Sequence, residues 1–220
     1  MKKSFFLTLF SLFSFLALFA QKTVSHPYTE ERSISSFEGL EVSAGIKVVL
    51  TQDDKAKLVV TSNEEDLIEK VVTKVNNGVL QIKREESSWK FWNKYKNWQI
   101  TVYVSYNNLS KINASSGSIV EGDDVQLAHL NVKSSSGAIV RLKGKVGTAS
   151  FNASSGAIVR GGELIAEKAS ADASSGAIIH VYTNKELDAE ASSGGMIQYS
   201  GNGVIANVRT SSGGSIKRKG

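Results

Sequence analysis

Ala153-Ser-Ser-Gly-Ala-Ile-Val159 is one of six near-identical copies of a seven-residue phrase in this 220-residue sequence. Each copy is centred on a glycine, and successive central glycines lie 20, 19, 20, 18 and 19 residues apart. The central glycines are Gly117, Gly137, Gly156, Gly176, Gly194 and Gly213. A period near 20 that drifts by one or two residues predicts one structural unit per period, with the differences taken up in loops.

Around each central glycine, apolar or small residues alternate with polar ones. In the third copy the apolar or small positions are Phe151, Ala153, Ala157 and Val159, and polar residues occupy the other parity. A period of two predicts strands with one face inward and one outward. We therefore expect an all-β fold whose main part is a parallel β-solenoid. Its coils have about 19 residues each and stack about 4.8 Å apart.

The serine before each central glycine has two interpretations. Its parity points inward, so a buried position would require a ladder of hydroxyl hydrogen bonds along the stack. Alternatively, Ser-Ser-Gly forms a corner in which the glycine takes a positive φ. The corner is favoured, because a glycine inside a regular strand is costly.

One apolar column falls on the outward parity, two residues after the central glycines. It begins with Ile119, Ile139, Ile158 and Ile178. If the corner shifts the parity, these residues belong to the core. If the parity holds, they form an exposed aliphatic stripe, which would mark an interaction surface.

The first 20 residues have the pattern of an export signal. Lys2 and Lys3 precede an apolar run from Phe5 to Phe19, and Ala20 is a plausible cleavage position. The sequence thus predicts an exported protein of the periplasm, the outer-membrane surface or the extracellular space. It contains no cysteine, so neither disulfides nor thiol chemistry contribute.

Three regions follow the predicted signal. Residues 21–36 are polar, contain Pro27 and are interpreted as a linker. Residues 37–106 are interpreted as a β-rich portion with one short helix, in which Asn63 is the N-cap, and a hairpin turn at Asn76-Asn-Gly78. Residues 107–220 contain the repeats, and Ser43-Ala-Gly45 has the look of a degenerate copy.

An aromatic and basic segment at residues 87–98 interrupts the β pattern. Aromatic faces stack on sugar rings, and interleaved lysines suit an anionic glycan or a membrane surface. The alternative is a hairpin tip whose aromatic residues only cover the end of the solenoid. The candidate ligand-binding residues are Trp89, Trp92, Tyr95, Trp98, Lys94 and Lys96.

No pattern of catalytic, metal-binding or cofactor-binding residues is evident, so we expect no enzyme activity and no cofactor. His26, His129 and His180 are scattered over different segments. The pairs Asp53-Asp54 and Asp123-Asp124 accompany turn residues. Removing residues 1–20 leaves 24 lysines and arginines against 21 acids, a net charge too small to argue nucleic-acid binding.

The chain resembles the head GIN domain family of "putative autotransporter adhesins", common in Bacteroidetes. The resemblance rests on the export signal, the opening Phe37-Glu-Gly-Leu-Glu-Val-Ser-Ala-Gly45, the strand Gly78-Val-Leu-Gln-Ile82 and the Ser-Ser-Gly repeats. It covers roughly residues 37–216. It implies a right-handed β-helix-like fold and an envelope or surface location, but supplies no binding residue.

These observations favour a non-enzymatic binding protein, an adhesin for a glycan or another cell-surface ligand. The alternative is an envelope scaffold or stress-sensing module that binds another protein, with Ile119, Ile139, Ile158 and Ile178 as the interface. A β-helix enzyme acting on polysaccharides is a third possibility, supported by no motif. Homo-oligomerisation is compatible with the sequence.

Overall fold

A computed structural model describes residues 28–85 and 97–219 as an almost entirely β fold. Within these ranges the helix α1 spans Glu65–Ile68. The strands are β1 Tyr28–Arg32, β2 Gly39–Val42, β3 Lys47–Gln52, β4 Lys57–Ser62, β5 Val71–Asn76, β6 Val79–Arg84, β7 Ile100–Tyr106, β8 Lys111–Ala114, β9 Ile119–Ser134, β10 Ile139–Ala153, β11 Ile158–Ala173, β12 Ile178–Ala191, β13 Met196–Ser200, β14 Val204–Thr210 and β15 Ser215–Arg218. The predicted fold class is confirmed.

All fifteen strands belong to one sheet that coils around the core. The long strands β9 to β12 pair in parallel with the repeats in register, so that Ile139 pairs with both Ile119 and Ile158. Breaks in the pairing divide β10 into runs 139–142, 144–146 and 148–153. Each long strand therefore forms three sides of a coil, and the six copies of the phrase enclose about five complete turns.

The Ser-Ser-Gly phrase is a corner. Ser155 and Gly156 have φ values of 51° and 70°, and Ala157 N–H donates to the Ser154 carbonyl at 3.1 Å, which is a type I′ turn. The Gly156 N–H is then free to donate to the Ser175 carbonyl of the next coil at 3.1 Å. The serine before each central glycine is exposed at the turn, so the buried serine ladder is excluded.

The degenerate copy in the N-terminal portion adopts the same turn. Ala44 and Gly45 have φ values of 63° and 74°. The Gly45 N–H donates to the Ser116 carbonyl at 2.9 Å, which continues the ladder of turns below the first repeat. The repeat geometry therefore begins before the repeat sequence becomes recognisable.

The predicted parity is confirmed by the core. Phe151, Ala153, Ala157 and Val159 are all buried, as are the equivalent residues of the neighbouring coils. The coils are thus filled largely by alanine and valine. The N-terminal portion continues the same core with larger side chains, among them Leu40, Leu58, Leu67 and Leu80.

The N-terminal portion matches the sequence prediction at its hairpin and departs from it at the linker. Asn77 and Gly78 have positive φ values and join antiparallel β5 and β6, as predicted. However, residues 28–32 of the predicted linker form β1, which pairs antiparallel with β4. Tyr-Thr-Glu-Glu-Arg shows no apolar alternation because it lies almost fully exposed at the sheet edge. The export signal and residues 21–27 lie outside the described residues.

The short helix is capped differently from the prediction. Glu64 occupies the N-cap position of α1 without a side-chain capping bond. The Asn63 side chain turns instead to residues 97–99, donating to the Asn97 carbonyl at 2.9 Å and accepting from the Gln99 N–H at 2.8 Å. Asn63 therefore ties the start of the helix to the segment before β7, and its prediction as N-cap was wrong.

Candidate binding surfaces

One side of the solenoid, which we call the polar face, is formed by residues 129–134 of β9, 148–153 of β10, 168–173 of β11 and 186–191 of β12. Because these runs pair in register, their outward side chains stack in columns along the coil axis. The columns are His129, Thr148, Lys168 and Glu186; Asn131, Ser150, Ser170, Asp188 and Asn207; and Lys133, Asn152, Asp172, Glu190 and Arg209.

Three shallow grooves adjoin one another on the polar face. The first, of about 400 Å³, lies over Asn131, Ser150 and Ser170. The second, of about 300 Å³, shares Ser150, Ser170 and Asp188 with it. The third, of about 510 Å³, shares Asn152 with the second and continues toward the N-terminal strands. Together they make one furrowed surface that crosses several coils.

Six side chains of the polar face are held by contacts between neighbouring coils. His129 Nδ1 and Thr148 Oγ1 are 2.6 Å apart. Lys168 Nζ lies 2.7 Å from a Glu186 carboxylate oxygen, and Asn207 Nδ2 donates to Asp188 at 2.7 Å. These contacts fix the direction of polar groups that would otherwise lose more entropy on binding.

A second surface is formed by the outward-facing residues at the start of each long strand. The isoleucine ladder, Ile119, Ile139, Ile158 and Ile178, stacks in register and is half-buried. The residues that follow each isoleucine, such as Val140 and Val159, are buried. The outward parity therefore holds through the corner, so the ladder is not part of the interior. Its role as an interface stays a prediction.

A charged column runs beside the isoleucine ladder, and it consists of Glu121, Arg141, Arg160, His180, Gln198 and Lys217. Burial raises the pKa of Glu121, but its bonds to Lys47 at 2.7 Å and Arg141 at 2.8 Å outweigh burial and lower that pKa overall. Burial, Lys219 and Arg160 lower the pKa of His180. The C-terminal half of this column is therefore cationic, without a carboxylate.

Trp98 is the member of the predicted aromatic site that the structure describes. It is half-buried, packs against the hydrophobic core and approaches Gly45 closely. The guanidinium of Arg84 lies 4.9 Å from its ring centroid. One ring face is thus already stacked on a cation. The other predicted members, Trp89, Trp92, Tyr95, Lys94 and Lys96, lie outside the described residues.

The titratable residues considered for catalysis are dispersed. His129 lies on the polar face and His180 in the charged column, while His26 is outside the described residues. Asp124 has a φ of 59° and forms a corner of the coil, in agreement with turn use. In residues 28–85 and 97–219, no three His, Cys, Asp or Glu side chains are grouped so as to hold a metal ion.

The family comparison agrees with this architecture. Residues 36–203 match the family described as "Putative auto-transporter adhesin, head GIN domain". The chain belongs to this family. The predicted resemblance is confirmed. The family description is that of an adhesin, which suggests an exported or surface protein.

Two solved structures are similar to this GIN domain. A "putative adhesin" from Bacteroides fragilis is 18% identical, with a TM-score of 0.66 over 87% of this chain and 96% of that one. A "putative lipid binding protein" from Parabacteroides distasonis is 23% identical, with a TM-score of 0.52 over 90% and 98% of the two chains. At these identities the likeness shows the fold alone.

No curated protein matches the chain. Among the described residues, no helix has the length and apolar character needed to cross a membrane. The molecular function of this GIN domain must therefore be argued from its own surfaces.

The polar face could have been found in the sequence. Six residues before the central glycines stand Lys111, Asn131, Ser150, Ser170, Asp188 and Asn207. This column of polar residues, short in all but the first copy, is as regular as the isoleucine ladder. Its grooves, however, depend on the bends between the sides of each coil, which the alternation of polarity does not define.

Proposed function

We propose that this GIN domain belongs to an exported, non-enzymatic adhesin that binds an extended cell-surface carbohydrate along the polar face. The observation that carries the proposal is the line of connected grooves over Asn131, Ser150, Ser170 and Asp188. Carbohydrates present rows of hydroxyl groups that need many hydrogen-bond partners. A rigid face that already orders its polar groups binds such a ligand at a lower entropic cost.

The repetition of the coils suits a chain-like ligand. Equivalent polar groups recur along the axis at the strand spacing of about 4.8 Å, so a polymer lying along the grooves meets similar partners at each coil. Ser150 and Ser170 are short, and few rotamers are lost when they are ordered. The floor of the groove therefore accommodates a broad ligand without rearrangement.

Export is supported by the sequence and by the family. Lys2, Lys3 and the apolar run of residues 5–19 have the composition of a signal peptide. The family description as an auto-transporter adhesin fits a protein that acts outside the cytoplasm. We place it in the periplasm, on the outer-membrane surface or in the extracellular space.

The aromatic segment has a secondary place in this proposal. Trp98 packs on the core beneath Arg84, which favours a structural role for that residue. Trp89, Trp92, Tyr95, Lys94 and Lys96 remain candidates for stacking on sugar rings or contacting an anionic glycan. They would supplement the polar face rather than replace it.

Catalysis is the less favoured function. The carboxylates that line the first groove are Glu186 and Asp188, and each is engaged, by Lys168 and by Asn207 respectively. Such contacts suit fixed hydrogen-bond acceptors better than an acid that must exchange protons with substrate. Release of reducing or unsaturated sugar ends from any bound polysaccharide would contradict this part of the proposal.

A glycan array tests the binding face with one matched pair of variants. Ser170→Arg fills the middle of the groove and should weaken binding at least tenfold. Gln198→Arg is the control, because the charged column beside the isoleucine ladder already holds Arg141 and Arg160. The control should bind like the unaltered protein. Trp92→Ala, measured in parallel, separates the aromatic segment from the polar face.

The outcomes distinguish the possibilities. Loss of glycan binding only in Trp92→Ala would move the site from the polar face to the aromatic segment. Binding to phospholipid vesicles, with no glycan bound, would favour the function for which the Parabacteroides distasonis protein is named. Equal binding by the unaltered protein and Ser170→Arg would refute the polar face as the site.

A protein-binding scaffold or stress-sensing module is the second candidate, favoured by the isoleucine ladder. Four half-buried aliphatic side chains in register form a flat strip that a partner could cover. Cross-linking in intact cells should then capture one dominant envelope protein, and Ile158→Lys should abolish that capture. Capture of the same protein by Ile158→Lys would refute this candidate.

A further inference from the structure

Within residues 28–85 and 97–219, both ends of the coiled sheet have a strand edge that pairs with no other strand. At the N-terminal end β1 pairs with β4 on one edge, and its other edge has no partner among the described strands. At the C-terminal end β14 and β15 pair on one edge with β12 and β13 in the same way. An unpaired edge is a template for another strand, and proteins usually protect it.

The core columns end uncovered at the C-terminal end. Val208 occupies the column of buried Ala171 and Ala189, yet it is 50% exposed. Ile216 continues the column of buried Ile179 and Ile197 and is only half-buried. The last coil thus has interior residues without a coil above them.

The exposed large hydrophobic side chains of the described residues lie at the two ends. They are Tyr28 on β1, at 37% exposure, and Val204 and Val208 on β14, at 70% and 50%. The sides of the solenoid between these ends have no side chain of this kind within the described ranges. Association through the ends would therefore bury the apolar surface that the fold leaves open.

Residues 201–219 carry four basic residues and no acid, whereas residues 28–85 carry eleven acids against eight lysines and arginines. Arg209, Lys217, Arg218 and Lys219 are exposed at the C-terminal end. At the N-terminal end the exposed acids include Glu31 on β1 and Glu64, Glu65 and Glu69 in and beside α1. Two C-terminal ends would repel each other, whereas a C-terminal end and an N-terminal end attract.

The register of the sheet brings these charges into line. Glu31 pairs with Val59, and the same column continues through Tyr103, Val49, Glu121, Arg141, Arg160, His180 and Gln198 to Lys217. Since β1 and β4 are antiparallel, and β4 and β7 also, β1 runs in the direction of β15. A second copy placed at the end in register would therefore set its Glu31 beside Lys217.

We propose that this protein associates head to tail with copies of itself, the C-terminal edge of one copy seating on β1 and the α1 end of the next. The contact surfaces differ, so the association is heterologous and does not close at a dimer. Each added copy extends the line of polar faces. If these bind a glycan as proposed above, the affinity for a long chain rises by avidity.

Charge-swap variants test the arrangement by analytical ultracentrifugation of the purified protein at low ionic strength. The average mass of the unaltered protein should rise with concentration beyond that of a dimer and fall when salt is added. Lys217→Glu and Glu31→Lys should each remain monomeric alone. An equimolar mixture of the two should recover the larger mass, because each reversed end then finds its complement.

The controls separate this arrangement from others. Lys145→Glu makes the same change in net charge on an exposed lateral position and should associate like the unaltered protein. If the average mass of Glu31→Lys rises with concentration only as far as a dimer, C-terminal ends pair with each other. That result would overturn the proposal. A monomer at every concentration would also overturn it, while leaving glycan binding by the polar face untouched.

Discussion

The N-terminal portion, residues 28–85 and 97–106, and the coils, residues 107–219, fill one continuous core in different ways. The N-terminal portion uses large side chains such as Leu40, Leu67 and Leu80, whereas the coils use ladders of alanine and valine. A thin coil needs small residues because the sides of the coil lie close together. The repeated sequence therefore builds length, and the non-repeated sequence closes one end.

A charge in the coil core gives the largest expected effect. Val159→Asp should lower the free energy of unfolding by roughly 4 kcal/mol or more, because a carboxylate would enter a stacked apolar column. Arg160→Asp changes the exposed neighbour and should stay within about 0.5 kcal/mol. Urea unfolding measures both, and similar midpoints for the two variants would contradict the inward parity.

The difference in side-chain size predicts opposite sensitivities in the two regions. Leu80→Ala should cost about 2–5 kcal/mol, because it leaves a cavity in the N-terminal core. In the coils the damaging change is the reverse one, and Ala171→Leu should cost about 1–3 kcal/mol through overpacking. Calorimetric unfolding of both variants tests this, and a stabilised Ala171→Leu would mean that the coils are not tightly filled.

One side chain ties the edge strand β1 to β5 and α1, in addition to the pairing of β1 with β4. Arg32 donates to the carbonyls of Val71 and Ile68, the latter at 2.8 Å, and to the Thr73 hydroxyl at 3.1 Å. Arg32→Met keeps much of the packing and removes these bonds, so it should cost about 1.5–3 kcal/mol. Hydrogen exchange should show lost protection in β4, whose edge β1 covers, with the coils unchanged. Equal loss in both regions would deny a local role for Arg32.

Both regions contain turns with two successive positive φ values, but they use different residues for them. The hairpin in the N-terminal portion uses Asn77-Gly78, while the coils use Ser-Gly at the same two positive φ values. Asparagine tolerates this conformation better, so Ser155→Asn should stabilise by up to about 1 kcal/mol. Gly156→Ala should destabilise by about 1–2 kcal/mol, although its Cβ would meet no atom within 4 Å. Thermal melting measures both, and a destabilised Ser155→Asn would point to a role for the serine itself.

The sequence predicted the coils far better than the ends. The alternation that places Phe151 and Val159 inward recurs in all six copies of the phrase, so a chance match in one copy does not change the prediction. β1 is different, because it is an exposed edge strand held by its pairing with β4, and Tyr28–Arg32 carry no alternation of apolar and polar residues. Asn63 misled the prediction for a related reason, since its side chain serves a distant segment at Gln99 instead of the adjacent helix.

The smallest expected effect concerns pH and distinguishes the cationic end of the charged column from the rest. Burial, Lys219 and Arg160 lower the pKa of His180 below its ordinary value of 6.5. As the pH falls, His180 therefore takes up its proton at a higher pH in the unfolded chain than in the folded protein. The contribution of His180 to the free energy of unfolding is therefore complete above about pH 6.5 and is lost as the pH falls through the folded-state pKa.

His180→Gln removes this titration, and glutamine is acceptable there because Gln198 occupies the same column one coil later. The drop in melting temperature between pH 7.5 and pH 5.5 should thus be smaller in His180→Gln than in the unaltered protein. Arg160→Gln removes one of the cations that lower the pKa and should reduce the drop partly. If His180→Gln loses as much stability on acidification as the unaltered protein, the acid sensitivity resides in other groups. The cationic end of the column would then have no measurable effect on stability between those two pH values.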